Sequence, residues 1–350
     1  MRLAYSFIAL QFLVRGVLPA TGGDPYSNTN RSLFVLPSFS ALAGSALAHS
    51  YDGSAMSNPA NLSLDSSREI SVSYAGHYLN TFSSSVISYA TPIGRGSGIG
   101  VSLAYLHLPD IEDTRGLETE DVLHDSLPWP VYDNTRIRME SMSEVMVNVA
   151  YGRAFDLRPG IKLAVGGAVH ALRRRLIEVM GYGIGLDLGT TLEFERPGIR
   201  FSLLMEDVTT NYLYWNSKYK DFGPPHVRLG IGWRRELPYI YGKLTLSYRT
   251  PDLLGNEGVT GVEVHGTERD TEPVSESFTQ SRGALLFRGG YGLEYVVSEV
   301  LALRVGYDIG IMRPSFGGGL NLFSRALSFD FSYLMSDLAG TYQVGATWRW

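Results

Sequence analysis

The sequence predicts an all-β protein, a transmembrane antiparallel β-barrel of about 14 strands preceded by a small N-terminal hatch or plug segment. Three observations carry this expectation. The 350 residues include 39 Gly, 21 Tyr, 15 Phe and 5 Trp, and only 19% are charged; Gly and aromatic residues make poor helices, and aromatic residues favour strands. From Glu69 onward, apolar and polar residues alternate with a period of two, which gives a strand one apolar and one polar face. The links between these alternating segments sort into short and long by parity, as they do in a barrel whose strands alternate direction.

Composition also excludes functions. With 30 Lys+Arg against 35 Asp+Glu the net charge is −5, so no field exists for nucleic acid and none is expected as a partner. No cysteine is present, which removes disulfides, thiolate metal sites and cysteine nucleophiles. The seven histidines, at 49, 77, 107, 124, 170, 226 and 265, show no ligand spacing, so neither a metal nor a cofactor is expected. Gly94-x-Gly96-x-Gly98-x-Gly100 precedes a strand and not a helix, which makes it a turn and not a phosphate loop. No Gly-x-Ser-x-Gly elbow occurs, and an enzyme is not expected. A lipase-like Ser/His/Asp arrangement assembled across strands stays open as an alternative.

Taken in chain order, residues 1–22 read as a secretory signal peptide. Arg2 precedes the apolar stretch Leu3 to Val14, Arg15 ends it, and Leu18-Pro19-Ala20 leads to a cut between Ala20 and Asp24. Residues 23–68 form the hatch segment. Within it, the Ala/Leu/Ser stretch 40–48 predicts a short helix, and Tyr51-Asp52-Gly53 and Asn58-Pro59 predict turns. Its small, weakly polar residues suit packing inside a barrel mouth.

Residues 69–350 form the barrel. Strands are predicted near 69–78, 82–91, 97–108, 138–155, 161–175, 181–194, 199–206, 225–236, 239–250, 284–297, 300–308, 314–323, 325–336 and 340–350. Even-numbered strands are followed by short links, such as Glu195 to Gly198, Leu237-Pro238 and Ser324. The three long loops, Pro109 to Ile137, Asp207 to Pro224 and Pro251 to Gly283, all follow odd-numbered strands. The first and third carry net charges of −6 and −5, which suits water. Together these place the chain in a bacterial outer membrane, long loops extracellular and both termini periplasmic.

In the last strand Tyr342, Val344, Trp348 and Trp350 share the apolar face. A terminal aromatic on such a face is the expected signal to the outer-membrane barrel assembly machinery, and it belongs at the interface. Lipid and lipopolysaccharide are the expected surroundings. Arg173-Arg174-Arg175, at the outer end of the fifth strand, reads as snorkelling or phosphate contact there.

The stretch Gly44-Ser-Ala-Leu-Ala, Asp52-Gly-Ser-Ala-Met56-Ser-Asn58-Pro59-Ala60-Asn-Leu62 resembles the N-terminal hatch of FadL-like outer-membrane barrels, especially the PorV/PorQ branch. Gly183-Ile-Gly-Leu-Asp187-Leu-Gly189, Val227-Arg-Leu-Gly-Ile, and Gly292-Leu-Glu294-Tyr before Leu301-Ala-Leu-Arg304-Val-Gly306-Tyr307 extend the likeness. At Tyr51-Asp52, where members often carry two acidic residues, this chain keeps the second. The resemblance implies one of two functions. One is a conduit for hydrophobic small molecules, with Phe39, Leu42, Gly44, Met56, Asn58 and Pro59 as hatch and ligand residues. The other is a type IX secretion platform that binds a partner on its outer loops. A conduit predicts an apolar pocket near Phe39, Leu42 and Met56; an enzyme predicts a Ser–His pair near the outer rim; a soluble secreted β-rich protein predicts that Trp233, Phe329 and Trp348 are buried.

Overall fold

The computed structural model describes residues 29–49, 54–115, 134–254, 286–336 and 339–350. The signal peptide read at 1–22, the Tyr51-Asp52-Gly53 turn and most of the two acidic loops lie outside the described residues.

The chain forms a closed, fourteen-stranded antiparallel barrel. Six strands lead: β1 (Glu69–His77), β2 (Phe82–Gly94), β3 (Ser97–Asp113), β4 (Arg138–Arg158), β5 (Ile161–Leu176) and β6 (Val179–Phe194). Then come β7 (Ile199–Glu206), β8 (Asn211–Trp215), β9 (Lys220–Gly223) and β10 (His226–Leu237). The wall ends with β11 (Gly242–Arg249), β12 (Gly290–Val297), β13 (Leu301–Asp308), β14 (Arg313–Leu322), β15 (Leu327–Leu334) and β16 (Thr341–Arg349). β16 pairs with β1 from Glu69↔Arg349 to Gly76↔Tyr342 and closes the barrel, leaving no free edge at the junction.

Sixteen segments make fourteen strands because two strands are interrupted. β6 pairs with β7 over Leu188–Phe194 and with β8 over Gly181–Ile184. β8 thus continues β7 after a break at Asp207–Thr210, where Asp207 and Thr210 take positive φ. β9 pairs with β8, and β10 pairs with β7, so β9 and β10 flank a second break at Pro224-Pro225. Proline donates nothing to a ladder. The predicted loop Asp207 to Pro224 is therefore corrected: it is mostly wall. Its aromatic run Asn211-Tyr-Leu-Tyr-Trp215 is strand-like, but the breaks mask its continuity with β7.

The alternation assigns the two faces as expected. Outward residues such as Val72, Val101, Leu103, Leu303, Val305, Phe329 and Phe331 are exposed, while their neighbours Ser71, Ser102, Ala302 and Asp330 are buried. Trp348 is 59% and Phe329 46% exposed, which opposes the soluble-core alternative. Aromatic side chains ring both ends. Tyr89, Trp348 and Trp350 gather at the end with short turns, and Tyr248–Tyr291 and Phe316–Tyr333 at the end with long loops. This is the banding of a barrel in lipid.

The hatch fills the lumen as short turns. The predicted helix over 40–48 is corrected: Pro37–Ser40 and Ala46–Ala48 are separate single turns, split by left-handed Ala43 and Gly44. Asn58 caps the turn Pro59–Ser63 by accepting from the Ala60 N–H. Asn61 donates to the carbonyls of Leu47 and His49, each at 3.1 Å, and accepts from Thr191 at 2.8 Å. These buried amides satisfy an irregular backbone that no ladder could.

The wall makes room with glycine. A methyl group on Gly166 would stand 2.5 Å from the Ala60 nitrogen, on Gly152 2.5 Å from the Pro59 oxygen, and on Gly290 2.5 Å from the Ala43 oxygen. Gly318 faces outward and would meet nothing nearer than 3.5 Å. Gly166→Ala is expected to cost about 1–3 kcal/mol through overpacking and Gly318→Ala close to nothing. Denaturant titration of the folded, heat-modifiable form measures both.

Candidate functional site

The hatch residues singled out from the sequence separate into two groups. Leu42 is fully buried and lies against Gly292 and Gly306, with Phe39 and Gly44 beside the Arg249 side chain. Asn58 and Pro59 lie on the opposite wall, against Gly189, Gly166 and Gly152. Asn58 also donates weakly to Leu47 O and Thr191. Of the six, Met56 alone reaches an apolar cluster. The three residues expected to share one pocket thus separate, with Leu42 against the wall at Gly292 and Gly306 and Met56 beside the apolar cluster. The two cavities described below open elsewhere.

The apolar cluster sits in the half of the lumen nearest the long loops. Val86 of β2, Ala104 and Leu106 of β3, Met146 of β4, Leu172 of β5 and Leu213 of β8 converge there. Phe34 and Leu36 of the hatch fill the space between them, both buried, with Met56 and Trp215 at the margin. These wall residues point inward, where the alternation elsewhere places Gly, Ser and charges. The signal was available: Val101-Ser-Leu-Ala-Tyr-Leu106 is apolar on both faces at its outer end.

Beside the cluster, Arg31 ties the same hatch segment to the wall. Its guanidinium pairs in bidentate fashion with Asp187 and lies 3.5 Å from Glu206 and 3.7 Å from Asp207. Arg228 pairs with Glu206 from the far side. His170 lies 3.0 Å from Asp207 and 3.6 Å from Asp187. The break after β7 turns Asp207 inward, and the Asp207 N–H donates to Asp187 at 2.9 Å. His170, Asp187 and Asp207 could together hold a cation, and Arg31 already supplies that positive charge. Asn30 and Arg174 both donate to Glu144, at 2.9 and 2.6 Å. The Arg173–Arg175 run therefore divides, because alternation sends Arg174 into the lumen and leaves only Arg173 and Arg175 outside for snorkelling or phosphate contact.

A Ser–His pair does exist near this end. His77 Nε2 lies 2.9 Å from Ser84 Oγ, but that hydroxyl donates to the Leu33 carbonyl at 3.0 Å. Its proton is directed at the hatch and not at a base. The third group is Thr341, 3.4 Å from His77 Nδ1, which carries no charge to orient an imidazolium. The pair fastens the hatch to β1 and β2.

No protein-family model and no curated protein matches the chain. Solved structures similar in shape include the toluene transporter TbuX of Ralstonia pickettii, at 13% identity and a TM-score of 0.46, over 90% of this chain and 97% of that one. The toluene transporter TodX of Pseudomonas putida is 11% identical with a TM-score of 0.47, over 89% and 96%. A FadL homologue of Pseudomonas aeruginosa is 9% identical with a TM-score of 0.45, over 90% and 98%.

Arg31 generates a test. Arg31→Gln leaves Asp187 and Asp207 buried without a full counter-charge, a loss of about 3 kcal/mol on the scale of buried pairs. Amide exchange across residues 30–36 is expected to rise by at least about tenfold, with β1–β5 unchanged. Unchanged exchange at 30–36 would mean that Phe34 and Leu36 alone hold the segment.

Proposed function

We propose that this chain is a FadL-type outer-membrane channel for small apolar molecules, its long loops outside and both chain ends of the barrel in the periplasm. The observation that carries the reading is the inward apolar patch of Val86, Leu106, Met146 and Leu172, occupied by the hatch's own Phe34 and Leu36. A lumen built only to pass water and ions would be polar throughout. An apolar ligand entering from the loop end meets a site of matching chemistry and competes with two side chains held on one short segment. Burial of the ligand replaces burial of Phe34 and Leu36, so little apolar surface is exposed during the exchange.

The barrel's surface is read in the same terms. Val344, Trp348 and Trp350 stand exposed on the outer face of β16, where Tyr342 joins them, and they suit presentation to the assembly machinery. Arg173 and Arg175 suit lipopolysaccharide phosphates. This reading takes the chemistry as passage, and the hydrogen bond of Ser84 to the hatch supports it by directing that hydroxyl away from His77. The secretion-platform reading rests on the motif order shared with the PorV/PorQ branch.

The test is uptake of a labelled aromatic hydrocarbon and a labelled long-chain fatty acid by cells lacking their own carriers. Expression of this chain is expected to raise uptake of at least one. Leu106→Asn with Met146→Gln is expected to reduce it by about tenfold or more, since each leaves an unpaired amide on the patch, while heat-modifiability persists. Uptake at the vector level would sink the channel and leave the platform, to be sought by capture of a partner on the outer loops.

A further inference from the structure

The other half of the lumen has the opposite chemistry. Two adjoining cavities open at the end with short turns, one of about 290 Å³ and one of about 700 Å³. They share Arg200, Arg234 and Lys243 as lining residues, and Arg325 lines the smaller. The positions follow from register: Arg200 of β7 faces Gly232 of β10, Arg234 follows two residues on, and Lys243 lies on β11 opposite Glu236. All three side chains point into the lumen.

Most of the nearby carboxylates are paired with other cations, and Asp65 at the smaller cavity accepts from the Ser67 N–H and hydroxyl at 2.9 and 2.8 Å. Glu294 accepts from Arg304 at 2.6 Å, and Asp330 pairs with the same guanidinium. Glu193 accepts from Arg200 at 2.8 Å, and Glu195 pairs with Lys162 at 2.6 Å. Lys243 has Glu236 only at 3.9 Å, with that carboxylate mostly in solvent. Among the described residues, neither Arg234 nor Arg325 forms an ion pair within 4.0 Å. Arg234 Nε is buried without a hydrogen-bond partner among them. Like charges facing one another in a partly dry cavity are costly, and a bound anion would remove that cost.

We propose that this vestibule is a binding site for a small oxyanion, a phosphate or carboxylate group, held between Arg234 and Lys243 with Arg325 beyond. The planar guanidinium matches two oxygens at once, and the ammonium adds a point charge. The site lies across the hatch from the apolar patch and does not depend on the channel reading.

Inorganic phosphate and acetate, added at matched ionic strength to the full chain in uncharged detergent, test the site by calorimetry and unfolding temperature. Saturable binding of phosphate, of acetate or of both, with a raised unfolding temperature, is expected, and chloride should have no such effect. Response to phosphate alone assigns a phosphate group; response to acetate as well assigns a site open to carboxylates. Arg234→Gln and, separately, Lys243→Gln should each weaken binding by about tenfold or more. Without anion, each should unfold no lower than the native chain, because repulsion is relieved. Failure of both anions to bind, an equal effect of chloride, or native binding by R234Q and K243Q would overturn the proposal.

Discussion

Contact between backbone and backbone governs this molecule. At Pro59–Ala60 and at Ala43 the hatch backbone lies so close to the inner wall that no wall side chain fits between them, and Gly152, Gly166 and Gly290 supply the space. A fourteen-stranded barrel encloses more volume than ordinary side chains fill. Here the volume is taken by another stretch of the same chain, laid down as single turns. That choice sets two further demands. The wall must be rich in glycine on one face only, and every buried polar group of the hatch must find a partner. Asn58, Asn61 and Thr191 meet the second demand where no ladder reaches.

The lumen is thereby divided into two chemistries. Toward the long loops, apolar wall residues and a compensated charge cluster hold the hatch by Phe34, Leu36 and Arg31. Toward the short turns, Arg304 bridges Glu294 and Asp330, and basic side chains outnumber their committed partners. The break between β7 and β8 belongs to the first half. By turning Asp207 inward it completes the cluster that receives Arg31. A continuous ladder would instead keep alternating residues along a straight strand.

The barrel was legible because its signal is one-dimensional. Alternation in Leu301–Asp308 or Thr341–Trp350 states both the strand and its faces, and loop parity orders the strands. The interrupted strands were not, since Asp207–Thr210 and Pro224-Pro225 punctuate the sequence as a loop would. Hatch detail was lost for a different reason. Leu42 and Phe39 look like ligand residues by type, but which wall they face depends on pairing between residues far apart in sequence. Arg31 carried no motif at all, and it matters only because Asp187, Glu206 and Asp207 meet in space.

The junction of β1 and β16 bears on how the molecule is made. Arg68 and Trp350 exchange backbone hydrogen bonds, at 3.3 and 3.1 Å, so Trp350 fastens the point where the hatch joins the wall. The hatch contacts β2 to β7 on one side and β10 to β16 on the other. Its surroundings are thus complete only when the final strand has been delivered. Contacts of such sequence separation form late and slowly. The hatch is a guest of an unfinished sheet until then, and zipping the first strand to the last turns a tethered segment into an enclosed one in a single step.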